Sequence, residues 1–328
     1  MKQCGLSLFL GFFSLFAWAC THATPAPQQA SGKAPIFLWK VSSPAAVNPQ
    51  PLYLYGTVHI NDATHGQLDK AVIQRFASAQ VLVLEVEPGE EQRQEFRQQL
   101  LNLGVLPNGQ SLSEHVSKET WQELNAFLNA QGISKAQKEA LFRMRPWLAS
   151  LTLLYSTMQR AGASREFGSE EQLTALAFAQ KKAIRGLEKA TFQLQLMADG
   201  DAKEQEFQLR QALEELRAFT GQSEERDDAH LLFDAYRLGD LEQLNLYAKK
   251  LAEDPESQGF YQKFLVQRNQ GMLQQLKQML SEPSLTFVAV GALHLAGPVG
   301  LLQSLKDQGY QLERISAEGA VQELYLPD

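Results

Sequence analysis

A short apolar run that ends in glycine and delivers a histidine three residues later occurs twice in this chain, near its two ends. The first copy is Leu52-Tyr-Leu-Tyr-Gly-Thr-Val-His59, and the second runs from Leu285 into Gly291-Ala292-Leu293-His294. Each run is short and rich in aromatic and β-branched residues, so it reads as a buried strand rather than a helix. In an open α/β sheet, ligands bind beyond the carboxyl ends of the strands. Each glycine is expected to let the backbone bend sharply or approach a ligand closely, and each imidazole to point into the crevice. One such histidine is more often a satisfied structural residue than a ligand. Two matching copies favour function, and the intervening chain must bring them together.

The rest of the pattern supplies the frame. Residues 36–41 read as a strand, the Pro-rich stretch 43–51 as a turn, and 52–58 as its hairpin-like neighbour. A helical spacing over 68–79 leads to the apolar run 81–86, which makes a parallel βαβ unit. Helices are expected near 91–103, 118–130, 135–142 and 146–161, the last opened by Pro146 at the first helical position. A helix over 170–180 precedes a short strand at 183–188. From 201 to 280 the spacing is that of amphipathic packing faces, with breaks at 222–226, Gly239 and Asp254-Pro255. Pro298 is expected to open a helix to Gln308 that Gly309 caps, with strands at 310–315 and 321–326. The fold class is therefore α/β: a mixed central sheet flanked by helices, with a large helical insertion at about 90–280.

Glu85 interrupts the apolar run 81–86, and Glu87 follows on the same face. A buried carboxylate without a partner is costly, so Glu85 needs a cationic partner or a metal ion. Glu87 is equally well read as a strand end that has reached solvent. Glu188, after the glycine of the 183–188 strand, is a third candidate for the crevice.

Charge and cysteine usage narrow the partners. The formal charge is −7, the pI is about 5.5, and Lys and Arg are scattered, so nucleic acid is not an expected partner. Residues 1–19 carry Lys2, an apolar run and Ala17-Trp18-Ala19, the pattern of a secretory signal. Residues 20–34 read as a flexible linker and 35–328 as the folded domain. The two cysteines are Cys4, inside the signal, and Cys20, directly after the cleavage point, so the folded region has neither disulfide nor thiolate metal site. Cys20 can be the acylated first residue of an outer-membrane lipoprotein. Ala-x-Ala before it equally suits ordinary cleavage and release to the periplasm.

Imidazole and carboxylate at strand ends form a nitrogen and oxygen ligand set suited to Zn, Mn, Co or Fe. Such an ion polarises a carbonyl and lowers the pKa of bound water, which leaves a further Glu for general base work. The common hydrolase motifs are absent: there is no His-Glu-x-x-His, and Gly162-Ala163-Ser164-Arg165-Glu166 lacks the last glycine of a nucleophile elbow. Gly104 to Ser111 is no phosphate loop, because Gln110 stands where its lysine must be.

Several short motifs resemble the TraB/GumN family, which is related to the Tiki-type membrane metalloproteases. They are Leu38-Trp39-Lys40-Val41, Leu54-Tyr55-Gly56-Thr57-Val58-His59, Val83-Leu84-Glu85-Val86, Arg145-Pro146-Trp147, Gly186-Leu187-Glu188, Arg268-Asn269 and Gly291-Ala292-Leu293-His294 with Gly297 to Leu302. The resemblance spans residues 36 to 315. It implies an α/β core with a mixed sheet and a helical insertion, metal ligands at His59, Glu85 and His294, and catalytic roles among Glu85, Arg145, Glu188 and Arg268. The implied cofactor is a divalent metal, Mn, Co or Zn. Where the family pattern has Gly-x-Asp before the middle helix, this chain has Gly168-Ser169-Glu170, so that acidic position is left out of the expected site.

Two classes of function follow. The first is an exported metal-dependent hydrolase, a peptidase acting on a peptide or protein of the cell envelope. The second is a non-catalytic module that binds a peptide, haem or metal in the same crevice.

Overall fold

A computed structural model describes residues 35–43, 50–61, 63, 66–160, 163–220, 228–317 and 321–323. The expected signal and linker, with Cys20, and the break at 222–226 lie outside the described residues. The chain divides into two compact units. In chain order, the sheet unit begins with β1 (Pro35–Ser42), β2 (Leu52–Thr57), α1 (Lys70–Ser78) and β3 (Val81–Val86). The helical unit follows with α2 (Glu90–Gly104), α3 (Lys118–Ala130), α4 (Lys135–Phe142) and α5 (Pro146–Arg160). The chain then returns to the sheet unit for α6 (Ser169–Ala179) and β4 (Ala183–Glu188), and to the helical unit for α7 (Ala190–Ala198) and α8 (Ala202–Phe219). The remainder belongs to the sheet unit: α9 (Asp228–Leu238), α10 (Leu241–Glu253), α11 (Gln258–Tyr261), α12 (Arg268–Met279), β5 (Thr286–Gly291), α13 (Leu301–Asp307), β6 (Gln311–Ser316) and β7 (Val321–Glu323). The helices between β3 and β5 thus divide between the two units.

The strands form one mixed sheet in the order β4-β3-β5-β2-β1-β6-β7. β4, β3, β5 and β2 are parallel, and β1, β6 and β7 continue the sheet antiparallel. The hairpin β1–β2 and the parallel β2–α1–β3 unit are present, with β5 inserted between β2 and β3. Both faces of this sheet are covered, which explains the continuous apolar runs. Alternate residues Phe37, Trp39, Leu52, Leu54, Val83 and Val288 join one core with side chains of α10, α12 and α13. Their neighbours Leu38, Tyr53, Tyr55, Leu82, Leu84 and Phe287 join the other, with Val72 and Phe76 of α1 and Leu173 of α6. A one-residue slip in any strand would exchange the two faces.

Local capping sets several boundaries. Ser117 caps α3 by accepting from the Thr120 N–H, and Ser134 with Gln137 forms a capping box on α4. At the other end the expectation for Pro298 fails. It sits in a turn closed by the Gly300 N–H on the Gly297 carbonyl at 2.9 Å, and α13 begins three residues later at Leu301. Gly297 at φ 81° turns the chain there, which a proline-opened helix does not need. No described helix is long and apolar enough to cross a membrane.

Gly56 also acts differently from the expectation of a sharp bend. It lies inside β2, and a Cβ there would meet Leu295 Cδ1 at 2.9 Å, Phe37 Cβ at 3.0 Å and the Ala292 backbone at 3.1 Å. Its missing side chain lets the segment after β5 pack on β2. Gly56→Ala is therefore expected to cost about 1–3 kcal/mol by overpacking, measured by thermal or urea unfolding; a change below about 0.5 kcal/mol, the ordinary surface range, would rule out this close approach.

Candidate metal site

Parallel pairing of β2 with β5 places Thr57 opposite Gly291, so the two Gly-x-x-His copies leave neighbouring strands at the same level. His294 then lies on a single 3-10 turn (Ala292–Leu295), and His59 on the irregular stretch after β2. β3 and β4 lie side by side beyond β5 and carry Glu85 and Glu188 at their carboxyl ends. Four parallel strands deliver four chemically useful side chains from their carboxyl ends.

Glu85 is buried, at 3% exposure, and fully engaged. Its Oε2 accepts from Arg268 Nη2 at 2.6 Å, and its Oε1 accepts from the Gly291 N–H at 2.7 Å. Gly291 thus serves the site through its backbone donor. Burial alone would raise the Glu85 pKa, but Arg268, the two histidines and that N–H outweigh it and hold the carboxyl well below the usual carboxylate range. Arg268 Nε donates to Glu188 at 2.9 and 3.2 Å, so one guanidinium spans both carboxylates. Burial pulls Arg268 down, while the two carboxylates raise it above its ordinary value. Arg268 opens α12 directly after a π-helical segment (Gln262–Gln267), a local widening often found at functional sites. Consecutive helical positions point about 100° apart, yet Arg268 and Asn269 are both buried against this site.

Each histidine is held through Nδ1. His59 Nδ1 lies 2.5 Å from Glu170 Oε2, and Glu170 Oε1 accepts from the Thr57 hydroxyl at 2.8 Å. His294 Nδ1 lies 2.6 Å from Asn269 Oδ1, while Asn269 Nδ2 donates to the carbonyls of His294 at 3.2 Å and Val299 at 2.9 Å. Neither Nε2 has a hydrogen-bond partner among the described residues, although His59 is only 9% exposed and His294 only 1%. His294 Nε2 stands 3.7 Å from Glu85 Oε1, beyond hydrogen-bond reach. Burial first, then Arg268, pushes the His294 pKa down to about 3, so it is neutral at physiological pH. For His59, burial acts downward but Glu170 outweighs it and raises the pKa.

A buried polar atom without a partner is costly, and two imidazole lone pairs beside a carboxylate are the donor chemistry of a metal ion. Among the described residues, the ligand atoms of His59, Glu85 and Glu170 all lie within 4.8 Å of one another, so this group can hold one; it has Glu170 in place of the expected His294.

The structure brings together His59, Glu85, Glu188, Arg268 and His294 from the residues expected in the sequence. Glu87 is exposed. Arg145 belongs to the helical unit, where its backbone N–H bonds the Gly104 carbonyl at 2.8 Å just before α5. Glu170 and Asn269 were not among the expected site residues. Glu170 reaches the site because the segment before α6 is stitched to the stretch after β2. The Ser169 N–H bonds the Val58 carbonyl at 2.9 Å, and Asn61 and Ser164 exchange backbone bonds at 3.3 and 2.9 Å. Gly168 is required there, since a Cβ would strike the His59 carbonyl. The available signal was the position of Gly168-Ser169-Glu170 itself, one methylene longer than the Gly-x-Asp of the resemblance. For Asn269 it was the adjacent Arg268-Asn269 pair.

The chain is 26% identical over 262 residues to YbaP of Escherichia coli (strain K12), a protein described as uncharacterized, with 77% of this chain and 87% of YbaP covered. It is similar to the same extent to the YbaP protein of Shigella flexneri. No solved structure gives a significant match. The profile of the TraB/PrgY/gumN family matches residues 37–314, which includes every residue of the site just described, and the chain belongs to that family.

Proposed function

We propose that this protein is an exported metal-dependent hydrolase, a peptidase acting on a peptide or protein of the cell envelope. The observation that carries the reading is the pair of buried imidazoles whose Nδ1 atoms are engaged and whose Nε2 atoms are not. His59 Nε2, His294 Nε2 and Glu85 Oε1 are the atoms that would hold a divalent ion of the Mn, Co or Zn type. Bound there, such an ion would supply Lewis-acid polarisation of a carbonyl and a water of lowered pKa. The chain's own residues set the conditions. Arg268 keeps Glu85 ionised and oriented, and its hold on Glu188 makes that carboxylate a charge-balancing neighbour. His294 stays neutral and so remains a donor.

Metal analysis of the purified mature protein, with a peptide-cleavage screen in the presence and absence of added Mn, Co or Zn, tests the reading. About one ion per chain and metal-dependent cleavage are the expected result; no metal and no cleavage under any addition would refute it. The depth of His294 favours a second reading, a non-catalytic binding module, since 1% exposure leaves a bulky substrate little access. Stoichiometric binding of peptide or haem without turnover would select it.

The export part of the proposal rests on residues 1–19 and Cys20. If Cys20 is acylated, the protein is expected in the membrane fraction and the Cys20→Ala variant outside it. Identical fractionation of the two would remove the anchor.

A further inference from the structure

We infer that Glu170 and Asn269 are positioning residues that hold His59 and His294 in the same tautomer, with the proton on Nδ1 and the Nε2 lone pair left to the site. The inference rests on the metal-site reading and deepens it, because it takes Glu170 out of the ligand set.

Donors and acceptors fix the tautomer of His294. Asn269 Nδ2 spends its two hydrogens on the carbonyls of His294 and Val299, which can only accept. The amide is thereby fixed with Oδ1 toward His294 Nδ1, at 2.6 Å. An amide oxygen is an acceptor only, so Nδ1 carries the hydrogen. In a neutral imidazole Nε2 then has none. Asn269 is 3% exposed, so no solvent competes for this geometry.

Glu170 makes the same arrangement with different chemistry. Its Oε1 accepts from the Thr57 hydroxyl, which orients the carboxylate, and its Oε2 faces His59 Nδ1 at 2.5 Å. It sits in the first turn of α6, where the helix dipole favours a carboxylate. Glu170 does lie close enough to His59 and Glu85 to be counted as a ligand. Its Oε2, however, faces His59 Nδ1 while its Oε1 is held by the Thr57 hydroxyl, the arrangement found in outer partners of metal-bound histidines. Two elements far apart in the chain, α6 and α12, thus present one solution to one problem.

The test reads tautomers directly in metal-free protein, by 15N–1H correlation of the imidazole rings on the alkaline side of histidine titration. The parent is expected to show the Nδ1–H form at both His59 and His294; the Nε2–H form at either would overturn the inference. Glu170→Gln and Asn269→Asp each keep an oxygen that can face Nδ1, and are expected to keep the tautomer of their histidine. Glu170→Ala and Asn269→Ala remove it and are expected to lose the tautomer. A merely structural role would make the conservative and the alanine variants alike, and that result also counts against the inference. Cobalt titration adds a second readout. Glu170→Ala should bind Co about 10–100-fold more weakly at unchanged stoichiometry, the range for outer-shell partners, with Glu170→Gln within a few-fold of the parent. Equal loss in Glu170→Gln and Glu170→Ala, with a changed Co spectrum, would make Glu170 a ligand. Should the parent bind no Co, the metal reading fails while the ring signals still decide the tautomers. Asn269→Asp sets a carboxylate against two carbonyls and can unfold the protein; the Glu170 pair then carries the decision.

Discussion

Arg268→Ala is expected to destabilise the sheet unit by about 3–5 kcal/mol at pH 7, the range for removing one partner of a buried ion pair. Arg268 is 1% exposed and lies 2.6 Å from Glu85 and 2.9 Å from Glu188, whose side chains are 4% and 7% exposed. Without the guanidinium, two carboxylates face each other in a buried site. Their ionised forms become costly, and burial then raises their pKa values. The pH dependence follows with a definite sign. In the parent, Glu85 is held below its unfolded value of about 4.3, so its stabilisation is present above that value and is lost as pH falls through the folded one. In the variant, raised carboxylates oppose folding at pH 7, and this opposition is relieved on acidification. The gap between parent and variant should therefore narrow as pH falls from 7 toward 4. Urea unfolding at several pH values, followed by circular dichroism, measures it. Arg268→Lys should fall between the two, because an ammonium cannot reproduce the fork that spans both carboxylates. A variant as stable as the parent at pH 7 would mean that the pair contributes nothing to the fold.

The other large effect concerns the histidines. His59→Ala and His294→Ala are each expected to weaken metal binding more than about 100-fold, beyond the range for outer-shell partners, and to abolish any metal-dependent hydrolysis with it. Each removes one of the two unpartnered Nε2 atoms. His115 provides the contrast. It lies in the helical unit with its Nε2 3.0 Å from Gln110 Oε1, and His115→Ala should leave both properties intact. Folding must be followed in parallel, since His294→Ala also opens a cavity and strands the Asn269 oxygen. A folded His59→Ala/His294→Ala double variant that binds metal and cleaves like the parent would end the metallohydrolase proposal.

These predictions draw on residues that became visible at different levels. His59, His294 and Glu85 stood out in the chain itself, because a strand that ends in Gly-x-x-His, or an apolar run broken by one carboxylate, is a local pattern. The bounds of α3 and α4 were equally local, since Ser117, Ser134 and Gln137 satisfy the first helical N–H groups from within a few residues. Glu188 stood out in the same way at the end of the 183–188 strand, and resemblance to a family added Arg268 to the expected site. Nothing local said that Arg268 would bridge Glu188 and Glu85, which lie 80 and 183 positions away in the chain.

The partners of the two imidazoles belong to the tertiary structure alone. Glu170 stands 111 positions from His59, and it becomes a partner only because backbone bonds between Ser169 and Val58, and between Asn61 and Ser164, clamp α6 to the end of β2. Asn269 meets His294 because α12, preceded by a π-helical segment, packs beside the turn after β5. Short-range patterns can specify which strands end in chemistry, because backbone and side chain interact within a few residues. Which oxygen meets which ring nitrogen depends on sheet order and register, with β5 inserted between β2 and β3, and those are set by long-range pairing and the burial of both sheet faces.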